Sequence, residues 1–329
     1  MSSFLKSQLF TTLPYPTKKF TSQTIIVTGS NIGMGLEAAR HFVRLDAAKA
    51  ILAVRSTSKG DVARNSIEES EKRLGVVEVW ELDLARYESV LAFAERAKRL
   101  ERLDVVVGNA GVFPFEFAMA EEDELTITVN VVSTLLLGVL LVPKLRETAM
   151  KFGTVPVLTF TGSFTHAQAT FPEREAANIF EKLADEKTAK MNDRYGYCIY
   201  PLSKLIQLMC IRELASEVSK SGKEGRIIVS TINPGYVDTA IMREASFPYS
   251  IFLFFLKHLL SRTAEQGGRT LVNGAEGGDE THGQYLDDCH VGEVSTFVKS
   301  DEGMKTQKRI WDELSAKLEK IQPGVTSSI

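Results

Sequence analysis

Three cysteines, Cys198, Cys210 and Cys289, are all that 329 residues contain. They are widely spaced, odd in number and form no C-x-x-C pair. That argues against a disulfide framework and a thiolate zinc site, and no metal is expected. The reading is three reduced thiols in a cytoplasmic protein. Charge of one sign is missing too. Lys plus Arg is 39, Asp plus Glu is 42, and the net charge is -3. Such a balance offers no surface to nucleic acid. The N-terminal MSSFLKSQLFTTLPYPTKKF lacks the apolar run of a signal peptide. Pro14 and Pro16 mark residues 1–22 as an irregular arm. No repeat or low-complexity tract is visible. The most apolar stretch, FPYSIFLFFLKHLL at 247–260, is interrupted by Lys257 and His258. It is shorter than the roughly 20 residues that span a bilayer, so no transmembrane span is expected. It fits a buried helix, a lid over an apolar pocket or an interfacial anchor, with burial favouring the first two.

What is present is ordinary globular composition, 44% hydrophobic and 25% charged. A chain of this length can bury a large core. Short β-branched runs alternate with helical spacing. The runs are TIIVTG (24–29), AILAVR (50–55), VVEVWELD (76–83), LDVVVGNAG (103–111), VPVLTFTG (155–162) and RIIVSTINPG (226–235). Between them Leu36, Ala39 and Val43 share one helical face, as do Leu202, Leu205, Ile206 and Met209. Continuous apolar strands alternating with helices predict an α/β fold, a doubly wound parallel sheet of the Rossmann type. The expected organisation is a single domain over 23–322, with an insertion at 167–195 and a substrate loop at 238–262, and a tail at 323–329. Ligands in such sheets bind beyond the carboxyl ends of the strands.

Directly after the first run comes TGSNIGMG, with Gly29, Gly33 and Gly35. Glycine there permits a tight turn and close approach of a pyrophosphate, and the helix that follows directs free N–H groups at it. The spacing G-x-x-x-G-x-G departs from G-x-G-x-x-G. The second run ends in Arg55, 20 residues after Gly35 (55 minus 35), with Lys59 four further on. An acidic residue at that place would favour NAD; an arginine suits the 2′-phosphate of NADP.

With these residues the chain resembles the short-chain dehydrogenase/reductase family from about residue 22 to 320. TGSNIGMG resembles its T-G-x-x-x-G-x-G turn, so Gly29, Ser30, Asn31, Ile32, Gly33, Met34 and Gly35 are expected around the cofactor. Asp83 and Leu84 resemble the pair lining the adenine pocket. GNAG resembles N-N-A-G, giving Asn109, Ala110 and Gly111, with Gly108 in place of the first asparagine. TVNVVST carries the helix asparagine as Asn130, TGSFTH the serine as Ser163, and YPLSK the Y-x-x-x-K pair as Tyr200 and Lys204. NPGYVDT resembles the segment beside the nicotinamide, giving Pro234, Gly235, Val237 and Thr239. T-G-x-N-x-G-x-G, R-x-x-x-K-G and S-x-x-H point within the family to the retinol-dehydrogenase-like branch, which includes fungal biosynthetic reductases.

The resemblance implies an NADP(H)-dependent oxidoreductase, a ketoreductase interconverting a carbonyl and a secondary alcohol. A proton donor beside the carbonyl oxygen lowers the barrier to hydride addition. Tyrosine, with an ordinary pKa near 10, needs a nearby ammonium to serve at neutral pH. Of Tyr195, Tyr197 and Tyr200, only Tyr200 has a lysine at i+4. Pro201 belongs in a first helical turn, so the helix is expected to begin close to Tyr200. Ser163 would orient the substrate oxygen. In the family the lysine also binds the nicotinamide ribose, and Asn130 would hold a water linking Lys204 to solvent. Phe113, Phe164, His166 and Tyr236 are the expected substrate contacts, with Phe115 beside them, for an apolar small molecule such as a secondary metabolite. Two other uses of the same fold stay open: non-redox dehydratase, isomerase or cyclase chemistry, and cofactor binding without turnover. Ser163 and Tyr200 lie 37 residues apart (200 minus 163), so 167–195 reads as an insertion near the active-site mouth. Monomeric carbonyl reductases of the family carry a comparable insertion over the usual dimer helices, which implies a monomer or weak homodimer here.

Overall fold

Burial on both faces decides the sheet. In the computed structural model, which describes residues 3–187, 199–239 and 260–329, six strands match the six apolar runs. They are β1 (Thr24–Thr28), β2 (Lys49–Val54), β3 (Val77–Glu81), β4 (Val105–Gly108), β5 (Val157–Thr161) and β6 (Ile228–Asn233). Two more follow, β7 (Tyr285–Asp287) and β8 (His290–Val291). The order is β8-β7-β6-β5-β4-β1-β2-β3, parallel except for the β7–β8 hairpin. Val27 at the centre lies beside Leu52 on one flank and Val107 on the other. Strand order reverses between β1 and β4, so the crevice at their carboxyl ends is the switch point of the fold.

Helices cover both faces. They are α1 (Ser3–Phe10), α2 (Gly33–Arg44), α3 (Thr57–Glu71), α4 (Tyr87–Lys98), α5 (Leu125–Phe152), α6 (Ile179–Leu183), α7 (Ile199–Lys220), α8 (Ala264–Glu276), α9 (Thr296–Lys299) and α10 (Asp301–Ile321). One core layer packs Phe42, Ile67 and Leu271 of α2, α3 and α8 under the sheet. The other packs Phe93, Leu141, Ile206 and Trp311 of α4, α5, α7 and α10. Helix α5 is apolar and long enough to cross a membrane, but its most apolar window is 94% buried in this core. Phe160 closes the layer tightly. A Cβ on Gly108 would sit 2.6 Å from its ring. The exchange of asparagine for glycine at 108 is thus a packing matter.

Segments outside the six predicted strands are ordered too. The arm at 1–22 is not wholly irregular, since Ser3–Phe10 is helical. The tail at 323–329 is packed, with Val325 and Ile329 buried. Asp287, Asp288, Cys289 and His290 make the β7–β8 hairpin, whose tip residues Asp288 and Cys289 take positive φ of 50° and 67°. Of the insertion at 167–195, residues up to 187 are described. Phe180 and Leu183 are buried on one face of α6. The insertion is fastened to α10: Ile179 N–H donates to Glu313 (2.7 Å), and Arg309 donates to the Arg174 carbonyl (2.7 Å). Residues 188–198, with Tyr195 and Tyr197, lie outside the described residues, as do 247–259 of the apolar stretch and 240–259 of the expected substrate loop at 238–262.

Candidate active site

The crevice is built by turns that leave the carboxyl ends of β1, β4, β5 and β6. At the first, Gly29 and Gly33 take φ of 64°. A Cβ on Gly29 would meet the Ala110 Cα at 2.9 Å, and one on Gly35 would meet the Asn109 amide at 2.5 Å. No side chain fits at either place, which brings the β1 and β4 turns into contact. Asn109 Nδ2 donates to the Thr28 carbonyl (2.9 Å), and Ala110 N–H donates to Thr28 Oγ1 (2.9 Å). Buried Ser30 donates back to the Val27 carbonyl (2.7 Å). Helix α2 starts at Gly33 with no side chain capping its N-terminus. Its free N–H groups and positive dipole end face outward, a ready anion site.

A cleft of about 400 Å³ opens there, lined by Ile32, Gly33, Asp238, Thr239 and Arg262 among others. Thr239 stands over Gly33, with its methyl 3.7 Å from where a Cβ would lie. Exposed Arg55 directly follows β2, and Lys59 lies in the first turn of α3, where Ser56 caps the helix. Arg55 has no ion pair among the described residues. Asp83, half-buried, accepts from Ala85 N–H (3.0 Å), and Leu84 is buried beside it. Two buried polar atoms at the crevice, Asn109 Oδ1 and Thr161 Oγ1, have no hydrogen-bond partner among the described residues. The glycine turn that excludes side chains and these orphaned atoms fit a dinucleotide.

The acid–base residues come from three elements. Ser163 follows β5 and caps a turn at Phe164–Gln168, accepting from Thr165 Oγ1 (2.8 Å). Asn233, at the end of β6, holds that turn: its Oδ1 accepts from the N–H groups of Phe164 and Gly235, both at 3.1 Å. Tyr200 lies in the first turn of α7, one residue before Pro201. The Phe113 ring packs on it at 4.7 Å, and Phe115 packs on Phe113 at 5.3 Å. Lys204, one turn on, is 3% exposed, with Nζ 5.8 Å from the Tyr200 ring centre. It donates to the Thr161 carbonyl (2.7 Å) and Gln207 Oε1 (3.1 Å). Burial pulls its ammonium pKa down to about 7.

Asn130 sits in a π turn at Thr128–Ser133 within α5, a form often found at functional sites. Its side chain is a tie. Oδ1 accepts from Val112 N–H (2.9 Å), and Nδ2 donates to the Val112 carbonyl and to Ser203 Oγ, both at 3.1 Å. This fixes the loop of Gly111 and Phe113 against α7. Its main-chain carbonyl accepts from Gln207 Nε2 (2.8 Å). The Gln207 side-chain amide thus joins Lys204 to the Asn130 main chain.

His166 corrects another expectation. It is 3% exposed, its Nδ1 lies 2.7 Å from the Ser163 carbonyl, and its Nε2 accepts from Ser295 N–H (3.2 Å). Burial lowers its pKa and keeps the ring neutral. It braces the serine turn from behind and presents no edge to a substrate. Tyr236 and Pro234 are held by contacts the sequence did not reveal. Gln8 of α1 donates to the Tyr236 carbonyl (3.0 Å) and accepts from Tyr236 N–H (3.1 Å). Buried Arg262 donates to the Pro234 carbonyl (3.0 Å), to Ser7 and to Asp288. Val237 bridges Arg262. Phe4 packs on Phe164 at 4.6 Å. The T-x-x-Q signature at Thr263 and Gln266, a capping box, could have placed the start of α8 beside Arg262.

Sheet order and glycine turn together define a dinucleotide-binding α/β protein. The short chain dehydrogenase family profile matches residues 23–173. The chain is 44% identical over 329 residues to the short chain dehydrogenase/reductase dmxR8 of Cryptosporiopsis sp., covering 99% of each. It is 40% identical to the short-chain dehydrogenase anuD of Penicillium roqueforti, over 98% of this chain and 84% of that one. Among solved structures it is similar to a short chain dehydrogenase from Shigella flexneri complexed with NADP, at TM-score 0.56 and 22% identity, over 83% of this chain and 99% of that one. The chain belongs to the short-chain dehydrogenase/reductase family and is an oxidoreductase of that family.

Proposed function

We propose that this enzyme uses NADPH to interconvert a carbonyl and a secondary alcohol on an apolar small molecule, a fungal secondary metabolite. The observation that carries this reading is the pairing of Tyr200 with a buried Lys204 ammonium on one face of α7. NADPH, when bound, supplies the hydride. Tyr200 supplies the proton to the carbonyl oxygen, and Ser163 orients that oxygen by hydrogen bonding. Two of the three Lys204 donors are committed to protein, leaving the third for the ribose. Positive charge on Lys204 lowers the cost of forming phenolate on Tyr200. The rings of Phe113, Phe115, Phe164 and Phe4 supply an apolar wall. We propose a monomer or weak dimer, because α5 and α7 are deeply buried within one chain, and a cytoplasmic location, on the basis of the three dispersed cysteines.

The test is incubation with a panel of apolar ketones, following NADPH absorbance and product mass. A product heavier by two hydrogens, with matching NADPH loss, is expected. An isomerised or dehydrated product without NADPH loss would overturn the reading in favour of non-redox chemistry. Cofactor choice is a separate outcome. Removing a charged hydrogen bond to the 2′-phosphate costs about 1.5–3 kcal/mol, so Arg55→Asp should weaken NADPH about 10–100-fold. NADH affinity should stay within about threefold by the same measure. Equal loss for both cofactors, by fluorescence titration, would remove Arg55 from the phosphate site.

A further inference from the structure

We propose that Gln207 is a positioning residue for Lys204, its side-chain amide holding the ammonium to the main-chain carbonyl of Asn130. The proposal deepens the oxidoreductase reading and rests on it. Gln207 is 1% exposed and both ends of its amide are used. Oε1 accepts from Lys204 Nζ at 3.1 Å, and Nε2 donates to the Asn130 carbonyl at 2.8 Å. One turn separates Lys204 from Gln207 on α7, so the two share a face. The π turn of α5 supplies the far anchor. Asn130 is immobilised through its own side chain by Val112 and Ser203. The ammonium is therefore fixed from two sides, by the Thr161 carbonyl of β5 and by an amide braced on α5.

The chemistry of an amide separates this arrangement from a water wire. A water donates, accepts and passes protons along. An amide orients charge but does not readily pass a proton. Gln207 thus links Lys204 to Asn130 mechanically and electrostatically without opening a proton path there. An amide oxygen aimed at an ammonium favours the charged form. The ionisable group facing Lys204 is Tyr200 on its own helix. The groups reaching it from other elements, the Thr161 carbonyl and Gly111, carry no charge. Among the described residues, loss of the amide oxygen therefore has no carboxylate to compensate for it.

Gln207→Met keeps reach and volume and deletes both bonds; Gln207→Leu, made in parallel, does the same with a branched chain. The midpoint for Lys204 is read directly from the Cε carbon signal of lysine-labelled enzyme, assigned with Lys204→Met. In both variants the midpoint should fall by about one unit, a tenfold change. At pH 7, kcat should fall about five- to tenfold and recover as pH is lowered, because the ammonium is restored. A folded variant with unchanged midpoint and unchanged pH profile would overturn the proposal and leave Gln207 as packing. A fallen midpoint in an enzyme that oxidises no NADPH with any ketone would sustain the positioning role while sinking the oxidoreductase reading. If the methionine variant does not fold, the leucine variant decides by the same criteria.

Discussion

Tyr200→Phe should lose about 10²–10⁴-fold in kcat for carbonyl reduction while NADPH affinity stays within about threefold. The substitution removes one oxygen and leaves the ring that packs on Phe113 at 4.7 Å, so the local structure should hold. The ring's place in the first turn of α7 is fixed by Pro201 and by the buried face of that helix. What disappears is the donor beside the carbonyl oxygen. Ser163 is a poor substitute, being a hydroxyl of far higher pKa that already accepts from Thr165. Steady-state rates with the best ketone, together with NADPH titration, decide the matter. A variant keeping more than about a tenth of wild-type kcat would remove Tyr200 as the acid.

Lys204→Met should abolish measurable turnover and also change how stability responds to pH. The ammonium pKa is lowered by burial to about 7, against an ordinary value of 10.5. Between those values the unfolded chain binds a proton that the folded chain does not. Folding stability from this group therefore rises as pH goes from about 7 to about 10.5, and the full penalty is present below 7. The methionine variant has no proton to exchange. Its stability relative to wild type should be greater by a few kcal/mol at pH 7 than at pH 10. The carbonyls of Thr161 and Gln207, left without a donor, offset part of this gain equally at both pH values. Urea melts of both proteins at the two pH values give the difference. An equal gap at both would mean that Lys204 titrates normally in the folded state.

The central strands were legible because they are buried on both faces, so composition alone betrayed them. The residues paired with cofactor chemistry were legible because that chemistry tolerates little variation: glycine where a Cβ would strike Ala110, and lysine one turn after tyrosine. What escaped notice depends on partners far away in sequence. YLDDCHV has no strand-like alternation, and its hairpin forms because β6 offers an edge to β7 and Asn233 a donor to Asp287. SFLKSQLF is short and weakly amphipathic, and its place depends on Ser7 and Gln8 meeting Arg262 and Tyr236. His166, three residues after Ser163, reads from the sequence as a substrate contact, and only its burial shows it facing backwards. Gln207, an amide among apolar helix positions, carries no signal in the sequence, because its partner, the carbonyl of Asn130, is 77 residues away.

The docking of α1 has a consequence for how the molecule comes into being. Ser7 donates to Asp288, a partner 281 positions later. At a synthesis rate of roughly 5–20 residues per second, that partner emerges roughly 15–55 s after the helix does. During that interval α1 has nowhere to dock, and the β1–β5 framework can assemble without it. Closure of the wall over Phe164 and Tyr236 then belongs to the last moments of maturation. A nascent chain would form its glycine turn well before the face that receives substrate is complete.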